Sequence, residues 1–502
     1  MHGHGKWIAA LRCISVPTLA IVKSARSTQS TQIEKNVARQ TNYLVVSPTW
    51  KLTVVNDQKR EKMKLKISAV LVSACFSGSS AFAADLMDIY RDAQAEDPVY
   101  SSARYAFDAS KEIVPQSRAA NLLPAINFTG TVNRSHRDTS GFPKVDFTTH
   151  GYTVSLTQPL FRMQNWISVD QAKLQAKQSE AAFADAGQSL IVRAAQAYFD
   201  VLLAQDNVAL SGAQKTAINE QLAQAKRNFE VGTSTITDTY EAQAKYDLGL
   251  AKEISDLNDL EIKRQALQQL INKMPASLAP LRDNSAMALP KPGDMDQWVK
   301  ASEEASPVIA QLRLAYDIAA KDIDRNKAGH YPTLDLAGNF TNNSSPSSTS
   351  GGNIGPSFDT RSTGLGLTLT IPLYQGGGTQ SRIRQSVSNR DKAGADLENT
   401  KRTVAQSVRQ NYLGVTNGVA QVKALEAALV SNKSSLDATL LGKEVGVRTN
   451  VDVLNAQQQL FQAQRDLQQA RYNTILSQLR LKSAVGRLVE DDLAEVNRML
   501  AR

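Results

Sequence analysis

Four short stretches of this chain alternate apolar and polar residues along the backbone. A period of two is typical of β-strands, whose successive side chains point to opposite faces of a sheet. The apolar positions of these stretches are Ile126, Phe128, Tyr152, Val154, Leu156, Leu334, Leu336, Leu365, Leu367, Leu369 and Ile371. The pattern therefore predicts two pairs of strands, one in each half of the chain.

The predicted strand pairs lie within 124–160 and 332–374. Each pair has one aliphatic face and one face of small or polar residues. This is the alternation of a transmembrane barrel with lipid outside and a wet lumen inside. The linkers 133–150 and 341–363 are polar, and the second is rich in Ser, Gly and Asn, as exposed loops are.

The remaining segments follow the period of an α-helix. No proline interrupts 160–274, and Ile191, Ala195, Tyr198 and Leu202 fall on one helical stripe. Two long helices are predicted, each about 100 Å at 1.5 Å per residue, and each ends at a Val-Gly turn. The long helices are 163–231 and 376–444, shorter ones follow at 236–273 and 450–485, and others precede the strands at 86–120 and 298–328.

One unit occurs twice in the chain. The segment Val231–Asp238 matches Val445–Asp452 through the shared pattern VGxxTxxD, at an offset of 214. Four further pairs keep nearly this spacing: Tyr198 with Tyr412, Pro159 with Pro372, Pro124 with Pro332, and Pro98 with Pro307. Such ordered matches indicate an internal duplication. The first predicted repeat is 84–297, with a tip turn near 232 and a mid-wall segment at 274–297; the second is 298–502, with a tip turn near 446.

The N-terminal region has the pattern of an export signal. After Met63 come two lysines, an apolar stretch and the small-x-small site Ala81-Phe82-Ala83, so 63–83 is predicted to be a secretory signal peptide. Val72-Ser73-Ala74-Cys75 also fits a lipobox, which leaves lipid attachment to Cys75 as an alternative. Residues 1–62 show no coherent pattern, and we interpret them as a doubtful extension ahead of a start at Met63.

The charge distribution argues against a nucleic-acid partner. The chain has 502 residues and a formal charge of +9, but 1–83 holds twelve basic and three acidic residues. This leaves 45 basic and 45 acidic residues in 84–502, so the body is neutral and offers no basic face for phosphates. The two cysteines, Cys13 and Cys75, both precede the predicted mature start.

The apolar segments are too short for a membrane-spanning helix, which needs about 18–20 apolar residues. If the protein sits in a membrane, it must therefore do so as a barrel. Four strands per chain are too few to close one, and open sheet edges in lipid cost several kcal/mol per unsatisfied group. The chain is therefore expected to oligomerise or to pair with another protein.

The order of strand pair, long helix, Val-Gly turn and short helix, repeated behind a signal peptide, resembles the TolC-type outer-membrane factors. The segments Leu86–Tyr90, Tyr374–Gly377 and Ala470–Asn473 add to this resemblance, which covers nearly all of 84–500. It implies a mixed α and β membrane protein, in which a trimeric β-barrel with four strands per chain continues into a long α-helical periplasmic tunnel. It also implies a passive exit duct in the outer membrane, used for tripartite efflux or type I protein secretion.

The same resemblance implies partners and site residues. A homotrimer in outer-membrane lipid would meet a periplasmic adaptor and an inner-membrane transporter of the ABC or RND type; no enzyme activity, cofactor or metal is expected. The implied constriction ring is Asp452 with Asn455, the latter standing where the family often has a second acid. The implied gate latch is Thr237, Asp238, Lys443 and Arg448, and the implied adaptor-contact tips are Val231, Gly232, Thr233, Val445, Gly446 and Val447.

Lys443 stands where the resemblance places a latch tyrosine, and a pair with Asp238, in a different geometry, is left open as a replacement contact. A simpler interpretation remains beside the gate: an aspartate just after a turn, such as Asp238 or Asp452, commonly caps a helix. For the whole chain, the alternatives to a duct are a self-standing outer-membrane porin and a structural coiled-coil protein. The long helices argue against the porin, and the strand alternation argues against the coiled coil.

Overall fold

The computed structural model describes residues 83–501, with gaps at 142–143, 283–286, 346–348, 351–352 and 355–356. The predicted extension 1–62, Cys75 and the signal peptide up to residue 82 lie outside the described residues. None of the helices in the part that the structure describes is apolar over enough residues to cross a membrane.

The described chain begins with three helices in place of the single helix predicted for 86–120. They are α1 (Leu86–Glu96), α2 (Pro98–Lys111) and α3 (Ile113–Leu122). The break after α1 lies at Asp97, whose extended backbone precedes Pro98 and whose carboxylate accepts the amide hydrogen of Tyr100. Proline has no amide hydrogen to continue a helix but is well suited to begin one.

A strand pair and a long helical hairpin follow. The strands are β1 (Ala125–Arg137) and β2 (Val145–Phe161), and the helices are α4 (Met163–Glu230) and α5 (Ile236–Ile271). We refer to α4 and α5 as the first hairpin. The 68 residues of α4 correspond to about 100 Å, and both helix boundaries agree with the sequence prediction within two residues.

The second half of the chain has a similar order. Its elements are α6 (Met295–Ala305), α7 (Pro307–Lys327), a 3₁₀ turn (Ala328–His330), β3 (Thr333–Ser345), the two-residue strands β4 (Thr349–Ser350) and β5 (Asn353–Ile354), β6 (Phe358–Thr370), α8 (Gly378–Glu444), α9 (Asn450–Val485) and α10 (Glu490–Asn497). We refer to α8 and α9 as the second hairpin. The single helix predicted for 298–328 is again divided before a proline, Pro307, and α10 was not predicted.

The four long strands form one antiparallel sheet in the order β1-β2-β3-β6. Both β1 and β6 are edge strands, each with one neighbour in the described sheet. The predicted linkers 133–150 and 341–363 were too wide, because the strands continue well into both of them. Polar cross-strand pairs, such as His136 opposite Asp146 with 2.8 Å between Nδ1 and Oδ1, extend the first pair.

The largest apolar core lies where α4, α5 and α9 meet α1 and the segment after α5. Tyr198 is fully buried there and donates its hydroxyl to the carbonyl of Ala279 at 2.7 Å. Tyr412, at the matching position of α8, donates in the same way to the carbonyl of Gly293 at 2.6 Å. Each long helix is thus hydrogen-bonded through a tyrosine to the predicted mid-wall segment, 274–297.

Both ends of the described chain are attached to that same stretch. The amide of Ala84 donates to the carbonyl of Ser277 at 2.8 Å, and the amide of Ala501 donates to the carbonyl of Pro280 at 2.8 Å. The side chain of Asn497 joins the two ends, because it accepts from the amide of Leu86 at 3.0 Å. The predicted mid-wall segment is therefore a folded junction and not a simple linker.

Candidate functional site at the hairpin tips

The first hairpin turns over at Val231–Thr235. The amide of Val231 donates to the carbonyl of Arg227 at 3.1 Å, and the amide of Thr233 donates to that of Asn228 at 2.8 Å. Between them Gly232 has a φ of 77°, the left-handed region that glycine adopts without steric cost. The sequence folds this way because the glycine ends α4 and the threonine at 235 starts α5.

The turn of the second hairpin has the same hydrogen-bond pattern as that of the first. The amide of Val445 donates to the carbonyl of Leu441 at 3.1 Å, and that of Val447 donates to Gly442 at 2.9 Å. Gly446 has a φ of 82°. The two turns therefore have the same backbone hydrogen bonds at positions 214 residues apart.

Apolar side chains lie on the outside of both turns. Val231, Val445 and Val447 are 72%, 67% and 76% exposed. Thr233 is also exposed, and its hydroxyl donates to the carbonyl of Asn228 at 3.1 Å. The predicted contact tips thus expose valine side chains at the end of each hairpin.

Asp238 completes a capping box at the start of α5. Its carboxylate accepts from the hydroxyl of Ser234 at 2.6 Å and from the amide of Thr235 at 3.2 Å. In return, its own amide donates to the Thr235 hydroxyl at 3.2 Å. The hydrogen bond from Ser234, followed by that from the Thr235 backbone, lowers the pKa of Asp238 below its usual value.

Asp452 has the same position at the start of α9. Its carboxylate accepts from both the amide and the hydroxyl of Thr449, each at 2.9 Å. These hydrogen bonds, with a smaller contribution from the positive charge of Arg448, lower the pKa of Asp452. Within one chain, both aspartates therefore act as helix-capping residues, which was the simpler of the two interpretations of the sequence.

Lys443 joins the two hairpins, but not through the predicted partner. Its ammonium group donates to the side-chain carbonyls of Gln221 at 2.9 Å and Gln224 at 2.7 Å, both on α4. Within one chain Lys443 does not pair with Asp238, because that carboxylate is occupied by hydrogen bonds within its own turn. Partial burial lowers the pKa of Lys443.

The other predicted latch and ring residues are exposed. Arg448 lies with its aliphatic stem against Gly442, where an added Cβ would come within 2.8 Å of the arginine Cγ. Thr237 and Asn455 are also exposed. In the described part of the chain, no side-chain hydrogen bond joins Thr237 to the second hairpin or Arg448 to the first. The two predicted latch residues are therefore not hydrogen-bonded to each other within one chain.

The residues that make several of these contacts were not predicted from the sequence, among them Gln221, Gln224 and Thr449. The spacing Thr-x-x-Asp, which predicts a capping box, was sufficient to find the threonines. The glutamines carry no such signal, because a glutamine on a long helix is usually solvated. A second hydrogen bond between the hairpins, from Lys245 to Gln458 at 2.8 Å, could not be predicted from the sequence either.

Comparison with known proteins gives a consistent result. The family described as Outer membrane efflux protein matches twice, over residues 89–273 and 298–487. The chain is 34% identical over 434 residues to Outer membrane protein TolC of Vibrio cholerae, which covers 86% of this chain and 98% of that protein. It is 30% identical to the Proteases secretion protein PrtF of Dickeya chrysanthemi, with coverage of 86% and 95%.

Solved structures agree in fold. The crystal structure of the outer membrane protein VceC from Vibrio cholerae matches with a TM-score of 0.67 at 17% identity, covering 80% of this chain and 96% of that one. A TM-score of this size over most of both chains shows that the two proteins share a fold.

Proposed function

The chain belongs to the outer membrane efflux protein family, and we propose that it works as a homotrimer whose three sheets close one barrel. It is an outer-membrane protein with a large periplasmic part, and it serves as an exit duct for efflux and type I secretion. The comparisons give no support to the alternative of a self-standing porin.

The observation that supports the proposed trimer is the open sheet. Its four strands end in two edges, β1 and β6, whose outer amide and carbonyl groups have no neighbouring strand among the described residues. In a bilayer these groups must be paired, because water is absent. Rotation about a threefold axis brings β6 of one chain beside β1 of the next and pairs every edge.

The exposed face of the sheet supports a lipid contact. Ile126, Phe128 and Val132 on β1 are 70–76% exposed, and Leu365 and Leu367 on β6 are similarly open. Such a face is unstable in water but stable against acyl chains. We therefore infer that outer-membrane lipid covers it.

The helical hairpins supply the periplasmic tunnel. Six helices of about 100 Å, two from each chain, would enclose a passage long enough to cross much of the periplasm. The two-fold match of the family pattern supports an internal duplication, which gives each chain two equivalent wall sections. Cargo would move through this passage without catalysis or a cofactor, since the family is one of channels and not of enzymes.

The tips are proposed to close the tunnel and to meet the partners. The exposed valines at Val231 and Val445 offer an apolar contact to a periplasmic adaptor, which in turn joins an ABC or RND-type transporter of the inner membrane. Three copies of Asp452, one from each chain, would form a ring of negative charge that favours cations. Their mutual repulsion would act against the capping hydrogen bonds and raise the pKa of the ring.

The proposal is tested by purifying the protein from outer membranes in detergent, with mass determination and single-particle imaging. The expected result is a trimer with a stalk of about 100 Å, as the helix rise requires. Export that depends on a co-expressed adaptor and transporter would establish the duct. A monomer without a stalk, or free diffusion of solutes without an adaptor, would contradict it.

A further inference from the structure

One face of the four-stranded sheet changes abruptly from apolar to polar residues. Residues directly opposite each other on neighbouring antiparallel strands point to the same face. Ile126 of β1 is opposite Leu156 of β2, and the register continues through Gly338 of β3 to Leu365 of β6. This is the face that the proposed function assigns to lipid. Its last apolar residues before the β1–β2 and β3–β6 connections, which we call the apolar border, are Val132, Tyr152, Phe340 and Leu365.

The apolar border has a regular course across the sheet. It lies at position 132 on β1, and on β2, β3 and β6 it is in register with positions 130, 128 and 126 of that strand. The border thus shifts by two residues from each strand to the next. Such a stagger accompanies the tilt of strands in a barrel. The four border residues therefore lie near one depth, as a membrane interface requires.

Aromatic rings follow the apolar border. The ring centroids of Phe128 and Tyr152 are 5.9 Å apart, and those of Tyr152 and Phe340 are 6.1 Å apart. Three neighbouring strands thus contribute to one row of rings. Girdles of aromatic residues mark the depth at which the lipid headgroups begin. The row therefore places the headgroups just beyond the border, at the ends of the strands that lead away from the helical hairpins.

Two arginines lie just beyond the border on the same face. Arg134 is two residues beyond Val132 on β1, and Arg361 of β6 is opposite Asn342, which is itself opposite Tyr152. Both arginines are exposed, and among the described residues neither forms an ion pair. Each guanidinium is therefore available to an external anion at headgroup depth.

Other charged groups at this end of the sheet differ from the two arginines. Lys144 pairs with Asp138 at 2.7 Å, and the Cζ atom of Arg137 lies 5.2 Å from the ring centroid of Phe147. Asp359 shares the outward face but lies farther beyond the border than either arginine. The positive charge nearest to the lipid is thus that of the two arginines.

The two arginines are on the two edge strands, so the proposed trimer brings them together. With β6 of one chain beside β1 of the next, Arg361 and the Arg134 of the neighbouring chain are one strand spacing apart across the sheet, about 4.8 Å. Both lie within four residues of the apolar border. Each of the three seams between chains therefore presents two guanidinium groups at headgroup depth.

We propose that Arg134 and Arg361 bind the phosphate groups of the phosphorylated glycolipid of the outer leaflet, at the three seams of the trimer. This inference rests on the proposed function, since it requires the trimeric barrel. A guanidinium binds phosphate through two parallel hydrogen bonds. Two guanidinium groups match a headgroup that has a phosphate at each end of a disaccharide better than a phospholipid headgroup with one phosphate. The apolar residues below the border contact the acyl chains of the same molecule.

Native mass spectrometry of the full-length protein, purified from outer membranes in a non-ionic detergent, tests the site. The protein is titrated with bisphosphorylated lipid A in the presence of EDTA, so that divalent cations do not bridge phosphates to acidic residues. The wild type should bind three molecules per trimer. Arg134→Gln and Arg361→Gln should each weaken binding by about 5-fold, and the double variant by about 25-fold.

The matched control is Arg137→Gln, which removes an arginine from the same strand but from the opposite face. It should leave the affinity and the number of bound molecules unchanged. Equal weakening by Arg137→Gln would assign the effect to net charge and overturn the proposal, as would undiminished binding by the double variant. If a glutamine variant does not assemble, Arg134→Lys and Arg361→Lys take its place; lysine keeps the charge but lacks the paired hydrogen bonds, so weaker binding is again expected and unchanged binding would overturn the site.

The choice of lipid is tested with two further probes. Lipid A without phosphates should bind more weakly, and equally to the wild type and the double variant. If it bound the wild type as tightly as the bisphosphorylated form, acyl-chain contact alone would explain the binding and the phosphate site would be wrong. Equal affinity for phosphatidylglycerol would overturn the assignment to the glycolipid. A monomer in the wild-type spectra would instead contradict the trimer of the proposed function.

Discussion

Replacement of Lys443 by methionine is the most direct perturbation of the contact between the two hairpins near their tips. Methionine keeps the length and apolar volume of the side chain but removes the ammonium group that bonds to Gln221 and Gln224. A hydrogen bond to a charged group contributes about 1.5–3 kcal/mol where it is shielded from water. Lys443 is only partly buried, so solvent screening and side-chain entropy reduce the two bonds together to about 1–2 kcal/mol per chain.

That free energy converts into a change of the open fraction. Since 1.4 kcal/mol is a factor of ten, Lys443→Met should raise the ratio of open to closed tips by about 5–30-fold per chain. The assay is single-channel recording of the purified protein in planar bilayers, which resolves both the conductance and the time spent open. Gln221→Ala combined with Gln224→Ala should give a similar increase, because it removes the acceptors of the same two bonds.

The control for charge is Lys433→Met, which removes an exposed lysine from the same helix, ten residues from Lys443. It should leave the open fraction unchanged. If Lys433→Met opened the pore as much as Lys443→Met, the effect would come from net charge and not from the cross-hairpin bonds. If Lys443→Met left the open fraction at the wild-type level, the proposed role of Lys443 as a latch between the hairpins would be refuted.

Three further predictions concern the ring and the core. Asp452→Ala should remove most of the cation preference of the reconstituted pore, measured as the reversal potential in a salt gradient; an unchanged potential would disprove the carboxylate ring. Tyr198→Phe should lower the free energy of unfolding by about 1–2 kcal/mol, because it leaves a buried carbonyl without its donor, whereas Tyr412→Phe at a more exposed site should cost less; thermal melting compares the two. Burial would raise the pKa of Asp97, but the hydrogen bonds from Arg193 outweigh it and the pKa is lowered. This contribution to stability is therefore complete above about pH 4 and lost as the pH falls through the lowered pKa, so Asp97→Asn should flatten the acid side of a plot of melting temperature against pH, and an unaltered acid limb would contradict it.

The regular elements were predictable because each depends on a local pattern. The two long helices were located within two residues, since an uninterrupted helical period and a terminal glycine determine both ends. The sheet was predicted from the period of two, but its strands proved longer than their apolar parts. Polar residues such as His136 and Asp146 extend the sheet by pairing across neighbouring strands. A hydrophobic pattern cannot predict such pairs, because both partners are polar.

The candidate site was predictable only as far as it is local. The turns and capping boxes follow from residues that are close in sequence, such as Thr449 with Asp452. The contacts of Lys443 with Gln221 and of Asp256 with Arg465 join residues more than 200 positions apart. They depend on how the hairpins pack, which a single sequence does not specify.

The comparison of the two tips separates folding residues from gating residues. Glycine, threonine and aspartate recur at both turns, and helix capping accounts for all three at each place. Their recurrence is therefore no evidence of a gate. The position that matches Lys443 in the first hairpin is Phe229, which is 44% exposed and has no ammonium group to donate. A latch needs one hairpin to hold the other, so it must depend on residues that differ between the two tips. By this reasoning we propose Lys443, and not the repeated aspartates, as the residue through which one hairpin holds the other.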